Sequence, residues 1–400
     1  MKILAVLDSD WFWKGPHQYH HLLELLSCQG HEIVITDFAN YWHLMDDDLY
    51  SNKKQFENVS RFYNEAKLTV IRPGFIRIPL LDYASYSINS KKEIKNIIED
   101  FKPDFVIGFT SIISAYWGMR YAKKNDIPFI YYWLDVNHEL IPFRPLRPIA
   151  KIIEKHIIRN SAAIIAINEV LKDYMVNLGN NGINAYVVPG GVDFNRFNPI
   201  EVDSKFMRKK YGISEEDFVL FFMGWIYEFS GLEEVIMNLL EIKDSYPHIK
   251  LIIVGEGDHY SKLNEIVKSN NIEDKVILTG KRPYEEIPQL IAASDICLLP
   301  AHNNEIMKDI VPIKIYEYLA MNKPVISTKL NGVLKEFGHN NGLIYVESPN
   351  EVIDRLIDLK PEDIEKNKIH SQKFIQKYGW EEIIPEFNLI LNNYKEIIKK

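Results

Sequence analysis

The sequence predicts an α/β chain made of two doubly wound halves. Short apolar, β-branched runs alternate with longer helical patterns along its 400 residues. The runs are nearly continuous in apolar residues, as strands are when helices cover both faces of a parallel sheet. The alternation comes in two series separated by a stretch of turn residues.

In the first series the strand candidates are KILAVLD, HEIVITDF, LTVIRP, DFVIGFT, PFIYYWLD, AAIIAIN and AYVVPGG. In the second they are FVLFFMGW, IKLIIVGEG, KVILTGK, DICLLPA, PVISTK and GLIYVE. Between them lies PGGVDFNRFNPIEVDSKFMRKKYGI, residues 189–213, with glycines, two prolines and mixed charge but no strong periodicity. It reads as a linker entering a new domain. The expected organisation is therefore a Rossmann-like domain at 1–195, a second at 196–379, and a terminal segment at 380–400. That last segment reads as a long amphipathic helix with Pro385 inside it, so a kink is expected, and the helix is expected to cross back onto the first half. Two similar α/β halves joined by one linker make a cleft, and clefts between domains bind ligands. Residues 40–66, with MDDDLYSNKKQFENVS, are polar and turn-rich and read as a long surface loop with some helix.

The apolar fraction of 46% and charged fraction of 26% are those of an ordinary globular protein. A formal charge of −8 argues against nucleic acid as the main partner, since phosphate backbones need concentrated Lys and Arg. Cys28 and Cys297 are far apart, lie among apolar residues and have no metal-ligand spacing, so buried free thiols in a reducing cytosol are expected. MKILAVLDSD lacks a long apolar run with a cleavage site, so no signal peptide is expected. No uncharged apolar stretch of about 18 residues promises a spanning helix.

The most informative stretch is DIVPIKIYEYLAMNKPVIST, residues 309–328. DICLLPA before it is a strand, and HNNEIMKDIV is the loop at its carboxyl end. Pro312 can start a helix, where its missing N–H is no loss. The unpaired N–H groups of a first turn favour an anion such as phosphate. Lys314 in that turn adds positive charge. Glu317, one turn deeper, can accept hydrogen bonds from vicinal hydroxyls such as those of a ribose. One helix mouth could thus hold hydroxyls and a diphosphate. The plainer reading is that the acids stabilise the helix dipole and that Lys314 is solvated.

PIKIYEYLAMNKPVIST resembles the donor-site signature of the retaining GT-B glycosyltransferases, the large sucrose-synthase and mannosyltransferase-like family. HHLLELLSCQGHEIVITDF, VVPGGVDFNRFNP, LIIVGEGDHYSKL and VILTGKRPYEEIPQLIAASDICLLPA resemble further parts of that family in the same order. The resemblance covers nearly the whole chain and is strongest over 185–347. It implies the GT-B fold, two Rossmann-like domains facing across a cleft, with a nucleotide-sugar donor in the second. It implies that Glu317 binds the donor ribose and that Asp309 stands where the family has the first Glu of a Glu–seven–Glu pair, which contacts the transferred sugar. Gly224 matches the glycine after the first strand of the donor domain. Gly255, Arg282, Ile310, Val311 and Ile313 fall in the surrounding donor-binding stretches. The chain departs from the pattern in GWIYEFSG: Trp225 and Ser230 occupy the positions where Arg and Lys usually grip the diphosphate. Arg282, Lys308, Lys314 and Lys329 are the candidate replacements, with Lys314 best placed.

Other motifs are weaker. In WFWKGPHQYHH, residues 11–21, Gly15 supplies a turn and Pro16 starts a helix at the end of the first strand, which makes Gly15, His17 and Lys14 candidates to face a ligand. His20 and His21 read as ordinary helix residues, and the His spacing lacks a carboxylate partner for a metal. In YWLDVNHEL, residues 132–140, Leu134 stands where the family often has His; Asp135 keeps its Asp, and His138 either swings in or caps local structure. DSD, residues 8–10, is a short match to a metal motif of another glycosyltransferase fold. In VGEG, Gly255 and Gly257 suit a tight turn and close backbone approach. RPLRPIAKIIEKHIIRNS, residues 144–161, is an amphipathic helix edged by Lys151, Lys155 and Arg159. It reads as core-packed with a solvated face or, alternatively, as a contact for an anionic membrane surface aided by PGFIRIPLL.

The expected activity is transfer of a hexose from a nucleoside diphosphate sugar to a glycan or lipid-linked acceptor, with retention. No cofactor and no metal are expected, and the expected location is the cytoplasm or the inner face of the membrane. The alternatives are a nucleotide-sugar epimerase on the same fold and a non-catalytic glycosyltransferase-like subunit.

Overall fold

The computed structural model describes residues 1–13, 15–44, 48–141, 143–179 and 184–398. The chain divides into two compact units, Met1–Pro189 with Glu381–Lys400, and Gly190–Trp380.

In unit 1 the described strands are β1 (Lys2–Leu7), β2 (Glu32–Thr36), β3 (Tyr50–Ser51), β4 (Lys54–Val59), β5 (Leu68–Arg72), β6 (Phe75–Ile76), β7 (Phe105–Phe109), β8 (Phe129–Trp133), β9 (Ala163–Ala166) and β10 (Asn184–Val187). They form a main sheet of order β10-β9-β8-β7-β1-β2-β5-β4 and a small antiparallel pair, β3 with β6. The main sheet is parallel except for β4, which runs antiparallel to β5 along the edge. The polar stretch read as a surface loop thus contains a strand. Its residues Lys54, Gln55, Glu57 and Asn58 are exposed, and only Phe56 and Val59 are half-buried. Charged side chains on an edge strand discourage pairing with another chain, and they also hide it from an apolar-pattern reading. Phe56 meets the ring of Phe12 edge-on at 4.8 Å.

Helices α1 (Gln18–Cys28), α2 (Leu81–Phe101), α3 (Ile113–Lys124), α4 (Arg147–Asn160) and α5 (Glu169–Gly179) connect the strands. α2 packs on α3, α3 on α4, and α4 on α5, giving one helical layer. The crossover through α1 advances along the sheet in the opposite direction, so right-handed connections put α1 on the other face. Cys28 ends α1 beyond its buried stripe and is exposed, contrary to the expectation of a buried thiol, whereas Cys297 is buried. The terminal helix, Trp380–Ile398, runs through Pro385 and joins this second face. Its Phe387 lies near the ring of Tyr132, and Asn388 donates to Gln29 Oε1 at 2.6 Å.

Buried charge fastens the loop after β1. Asp10 and Asp37 are fully buried and flank Arg72. Arg72 Nε donates to Asp37 Oδ1 at 2.9 Å and Nη2 to Asp10 Oδ1 at 2.8 Å. The two carboxylates also accept the backbone N–H groups of Trp11, Phe12 and Trp13.

Unit 2 has a wholly parallel sheet of β11 (Phe218–Met223), β12 (Ile249–Val254), β13 (Val276–Gly280), β14 (Ile296–Leu299), β15 (Val325–Thr328) and β16 (Leu343–Val346), in the order β13-β12-β11-β14-β15-β16. Its described helices are α6 (Lys205–Lys210), α7 (Leu232–Ile242), α8 (Tyr260–Ser269), α9 (Ile287–Ala292), α10 (Lys314–Ala320), α11 (Asn331–Phe337), α12 (Val352–Ile357) and α13 (Pro361–Ile375); the terminal helix is α14. Alternate residues serve two cores. Phe221, Ile252, Cys297 and Val325 face one, and Leu220, Phe222, Leu251, Ile253 and Ile326 face the other. Burial on both faces is the physical reason these strands read as unbroken apolar runs.

The division between units falls at 189/190, before the expected 195/196. Val192 bridges Gly379, its N–H donating to Tyr378 O at 2.9 Å, and Phe197 is buried in a unit 2 core. The linker residues are therefore already part of unit 2. Among the described residues no helix is long and apolar enough to cross a membrane.

Replacing Arg72 with Leu would leave two carboxylates buried without their counter-charge. Urea denaturation is expected to report a loss of about 3–5 kcal/mol, as for one partner removed from a buried ion pair. A loss below about 1 kcal/mol would mean that the network contributes little to stability.

Candidate functional site

In unit 2 the strand order reverses between β11 and β14, and ligands of open parallel sheets bind at the carboxyl ends of strands at such a switch point. The loops there are held together through glycines. Gly255 has φ +140°, and a Cβ on it would lie 1.9 Å from Gly224 O. Gly257 has φ +157°, and a Cβ there would lie 2.3 Å from Ile226 O. Only glycine tolerates both the backbone angles and the approach. The contact is closed by hydrogen bonds from Gly224 N to Val254 O, Ile226 N to Glu256 O, and Gly255 N to Gly280 O. The turns after β11, β12 and β13 therefore form one rigid shelf.

α10 runs against this shelf. Ile313 already has helical angles and serves as the N-cap, so Pro312 stands just before the helix instead of opening it. Its carbonyl accepts Ile315 N–H at 3.1 Å, and Ile313 O accepts Tyr316 N–H at 2.9 Å. Fewer backbone amides are left open than the sequence suggested, and the helix has only 7 residues. Charge at this position comes chiefly from a side chain. Tyr318 anchors the helix by accepting Met223 N–H at 3.0 Å.

Lys314 Nζ lies 4.1 Å from the centre of the Phe222 ring, and a Cβ on Gly224 would lie 2.5 Å from it. Gly224, with φ +135°, thus makes room for the ammonium. Among the described residues it has no hydrogen-bond or ion-pair partner. Burial pushes its pKa down to about 8, opposed by the charge of Glu317. Glu317 is buried, and burial pushes its carboxyl up to about 7. The hydroxyl of Tyr284, donating to Oε1 at 2.6 Å, and the charges of Lys314 and Arg196 oppose that shift. The Arg196 guanidinium lies over the Tyr284 ring at 4.7 Å. Tyr284 and Arg196 were not singled out by sequence. They come from the loop after β13 and from the linker, and no local pattern signals that they meet at Glu317.

The other expected donor residues are spread around this pair. Asp309 is half-buried and its Oδ1 accepts from Asn331 Nδ2 at 2.7 Å. Its loop is pinned by Gly332, whose N–H donates to Lys308 O at 2.8 Å. Ile310 and Ile313 are half-buried, but Val311 is buried in the core, so its side chain supports the loop and does not line a site. Arg282 is half-buried near the Tyr211 ring. Lys308 pairs with Glu305 at 2.5 Å and Lys329 pairs with Glu347, so both charges are already matched. Trp225 Nε1 donates to Asp258, at 3.4 Å. Ser230 is buried and accepts Tyr227 N–H at 3.0 Å, so it is used in a turn. Of the four proposed replacements, Lys314 and Arg282 are left without a carboxylate partner among the described residues.

In unit 1 the switch point lies between β1 and β7. The loop there uses its charges internally. Asp8 accepts the N–H groups of Ile112, Ile113 and Ser114 at 2.7, 2.7 and 3.0 Å, capping α3. With Asp10 bound to Arg72, both acids of DSD are structural. Among the described residues no cluster of three or more His, Cys, Asp or Glu is gathered for a metal. Gly15 is exposed and His17 half-buried at the start of α1; Lys14 lies outside the described residues. His20 is buried, its Nε2 at 3.0 Å from Trp11 O, and its pKa is well below the usual range through burial and the charge of Arg61. Asp135 is half-buried directly after β8. His138 does not swing toward a ligand. It is buried, with Nδ1 at 2.5 Å from Glu154 Oε2 and Nε2 at 3.2 Å from the Tyr174 hydroxyl, which ties the loop to α4 and corrects its assignment as a catalytic candidate.

Gly224→Ala should displace the Lys314 ammonium and weaken nucleotide binding by about tenfold or more, the loss of one charge-assisted hydrogen bond. Gly280→Ala is the control, since Gly280 also has a positive φ, +68°, but open space around it. It should lower the melting temperature and leave affinity unchanged, both read by calorimetry.

Comparison with known proteins places both halves of the chain. The profile "Glycosyl transferases group 1" matches residues 203–377, and "Glycosyltransferase Family 4" matches 19–196. An α-D-kanosaminyltransferase of Streptomyces kanamyceticus is 25% identical over 190 residues, 47% of this chain and 48% of that protein. The chain thus spans about half the length of the first curated relatives it matches. An α-monoglucosyldiacylglycerol synthase of Acholeplasma laidlawii is 21% identical over 356 residues, covering 85% of this chain and 83% of that protein. Among solved structures, HepE of Anabaena in complex with UDP-glucose superposes with a TM-score of 0.73 at 18% identity, covering 98% of this chain and 100% of that one. The chain therefore belongs to the group 1, family 4 glycosyltransferases, with the GT-B fold.

Proposed function

We propose that this protein transfers a hexose from a nucleoside diphosphate sugar to a glycan or lipid-linked acceptor, with retention at the anomeric carbon. The observation that carries the reading is the unpartnered Lys314 ammonium in the gap left by Gly224, beside the buried carboxylate of Glu317. Unit 2 binds the donor and unit 1 the acceptor. Glu317 accepts the ribose hydroxyls, exchanging the Tyr284 hydroxyl for them. Asp309 contacts the hexose, and Asp135 works on the acceptor side. The bond from the anomeric carbon to the diphosphate oxygen breaks and its electron pair leaves with the diphosphate; the acceptor hydroxyl forms the new bond on the same face as its O–H bond breaks, its proton passing to the departing diphosphate oxygen. The largest protein contribution is electrostatic, because an ammonium fixed in a desolvated place meets charge as it develops. What supports the donor class is the complex of HepE with UDP-glucose, and what supports a lipid-linked acceptor is the name of the Acholeplasma relative. We place the reaction in the cytoplasm, at the inner face of the membrane.

A thermal-shift panel of UDP, GDP, ADP and their hexose conjugates tests donor binding, since a ligand of the folded state raises the melting temperature. One nucleotide series should stabilise the protein. Lys314→Met and Glu317→Ala should each reduce donor turnover by about a hundredfold or more, the effect of deleting one stabilising group of a developing anion. Unchanged donor hydrolysis in Glu317→Ala would refute the site. NMR of the donor incubated alone separates transfer from epimerisation, and failure of every nucleotide to bind would favour a non-catalytic subunit.

The pH dependence follows from the pair itself. Glu317 is mostly charged above about 7, and Lys314 is mostly charged below about 8. The profile of kcat/KM should therefore fall on the acid side through about 7 and on the alkaline side through about 8. Lys314→Met should remove the alkaline limb from whatever activity remains. An alkaline limb that persists unchanged in that variant belongs to another group.

A further inference from the structure

In unit 2 the chain crosses from one face of the sheet to the other over the edge strand β16, and it leaves a hollow there. Val352, Ile353 and Leu356 of α12 belong to one core, and Ile375 at the end of α13 belongs to the other. Gly342 lets α13 press onto the amino end of β16: its φ is +95°, and a Cβ on it would lie 2.6 Å from Cβ of Ser371. The cavity that remains measures about 320 Å³, within the size range of small-molecule sites. Residues of β16, α12 and α13 line it, and Lys314 and Glu317 do not.

The lining is suited to negative charge. Val325 N–H donates to Gly342 O and Lys329 N–H to Val346 O, so residues 342, 344 and 346 turn their peptide groups toward β15. Leu343 and Tyr345, the alternate residues, turn theirs to the open side, where they have no hydrogen-bond partner among the described residues. Arg355 and Lys366 add two cations, and neither has a carboxylate partner among the described residues. His370 is half-buried, and its Nδ1 is shut away from solvent without a partner. An N–H at that nitrogen would be orphaned, so the neutral ring keeps its proton on Nε2 and has an N–H to donate there. The acid of the lining, Asp363, is engaged at the start of its own helix, where Oδ2 accepts Lys360 N–H at 3.3 Å.

Two like charges around one small cavity repel each other, and an anion between them removes that cost. A phosphate monoester brings about two negative charges near neutral pH and three acceptor oxygens, enough for both cations and for the neighbouring N–H groups. A carboxylate has half that charge and one oxygen fewer. Asn340 and Leu359 line the cavity as well, which gives a polar carbon skeleton such as a sugar both an amide and an apolar contact.

We propose that this cavity at the β16 edge binds a small phosphate monoester, with Arg355, Lys366 and His370 holding the phosphate. The site lies apart from the Lys314–Glu317 pair and does not depend on the transferase reading.

The test is calorimetric titration of the full chain with glucose 6-phosphate, inorganic phosphate and glucose. Glucose 6-phosphate should bind with Kd below about 1 mM, and glucose should give no binding heat. Equal affinity for inorganic phosphate supports recognition of the phosphate alone, and a tighter ester supports contact with the sugar as well. Arg355→Met and Lys366→Met should each weaken binding by about tenfold or more, the loss of a charge-assisted contact. Both residues are exposed, so the melting temperature without ligand should not change. His370→Leu should weaken binding, and His370→Gln, whose amide offers a comparable N–H, should restore it. Lys314→Met and Glu317→Ala should bind glucose 6-phosphate as the wild type does, so this site and the donor site fail separately. No binding of glucose 6-phosphate would overturn the proposal. So would affinities unchanged in Arg355→Met and Lys366→Met, or binding abolished by Lys314→Met, which would put the phosphate at the donor pair.

Discussion

The site depends on a charge kept without a counter-ion. A lysine ammonium withdrawn from water loses hydration and normally recovers it through a carboxylate or backbone oxygens. Lys314 instead rests over the Phe222 ring, and its pKa falls to about 8 in consequence. That arrangement persists because its surroundings are overdetermined. Gly224 leaves the space, Gly255 and Gly257 let neighbouring turns touch, and Tyr318 ties α10 to β11. The same desolvation that lowers Lys314 raises Glu317, so one environment sets both groups near neutral pH with opposite signs. Groups poised this way beside a switch point are what an enzyme handling an anionic leaving group needs.

Unit 1 uses comparable residues differently. Asp8 caps a helix, Asp10 and Asp37 enclose Arg72, and His20 and His138 are buried in hydrogen bonds. Among the described residues of the loop after β1, both acids are satisfied locally, which holds the loop as a platform. The divergence is physical. A platform gains stability from paired buried charge, while an anion site requires positive charge left open for its ligand. Trp225 and Ser230 extend the contrast within unit 2, because each makes a structural hydrogen bond at a position where the resemblance in sequence led one to expect a cation.

Much of this was legible before any coordinates. Strands buried on both faces announce themselves as apolar runs, and all the runs read as strands are strands. The edge strand β4 was not legible, because its outward residues are polar and only Phe56 and Val59 reach inward. Cys28 was misjudged from apolar neighbours in sequence, since the last residue of a helix can lie beyond the stripe its neighbours bury. The point where unit 2 begins has no local signature, because Val192 joins that unit through Gly379, a partner distant in the chain.

The sequence by itself determined the α/β class, the two halves and the short stretch from Asp309 to Glu317, because periodicity and residue type are local and survive without knowledge of the fold. Tertiary structure alone decided which cation is open and which is already paired. Lys308 and Lys329 have acidic partners and Lys314 does not, and the residues that make the difference lie elsewhere in the chain. It also decided that His138 belongs to Glu154 and that Tyr284 and Arg196 attend Glu317. Ionic partnership depends on distance in space, and a linear sequence carries that information only through the fold.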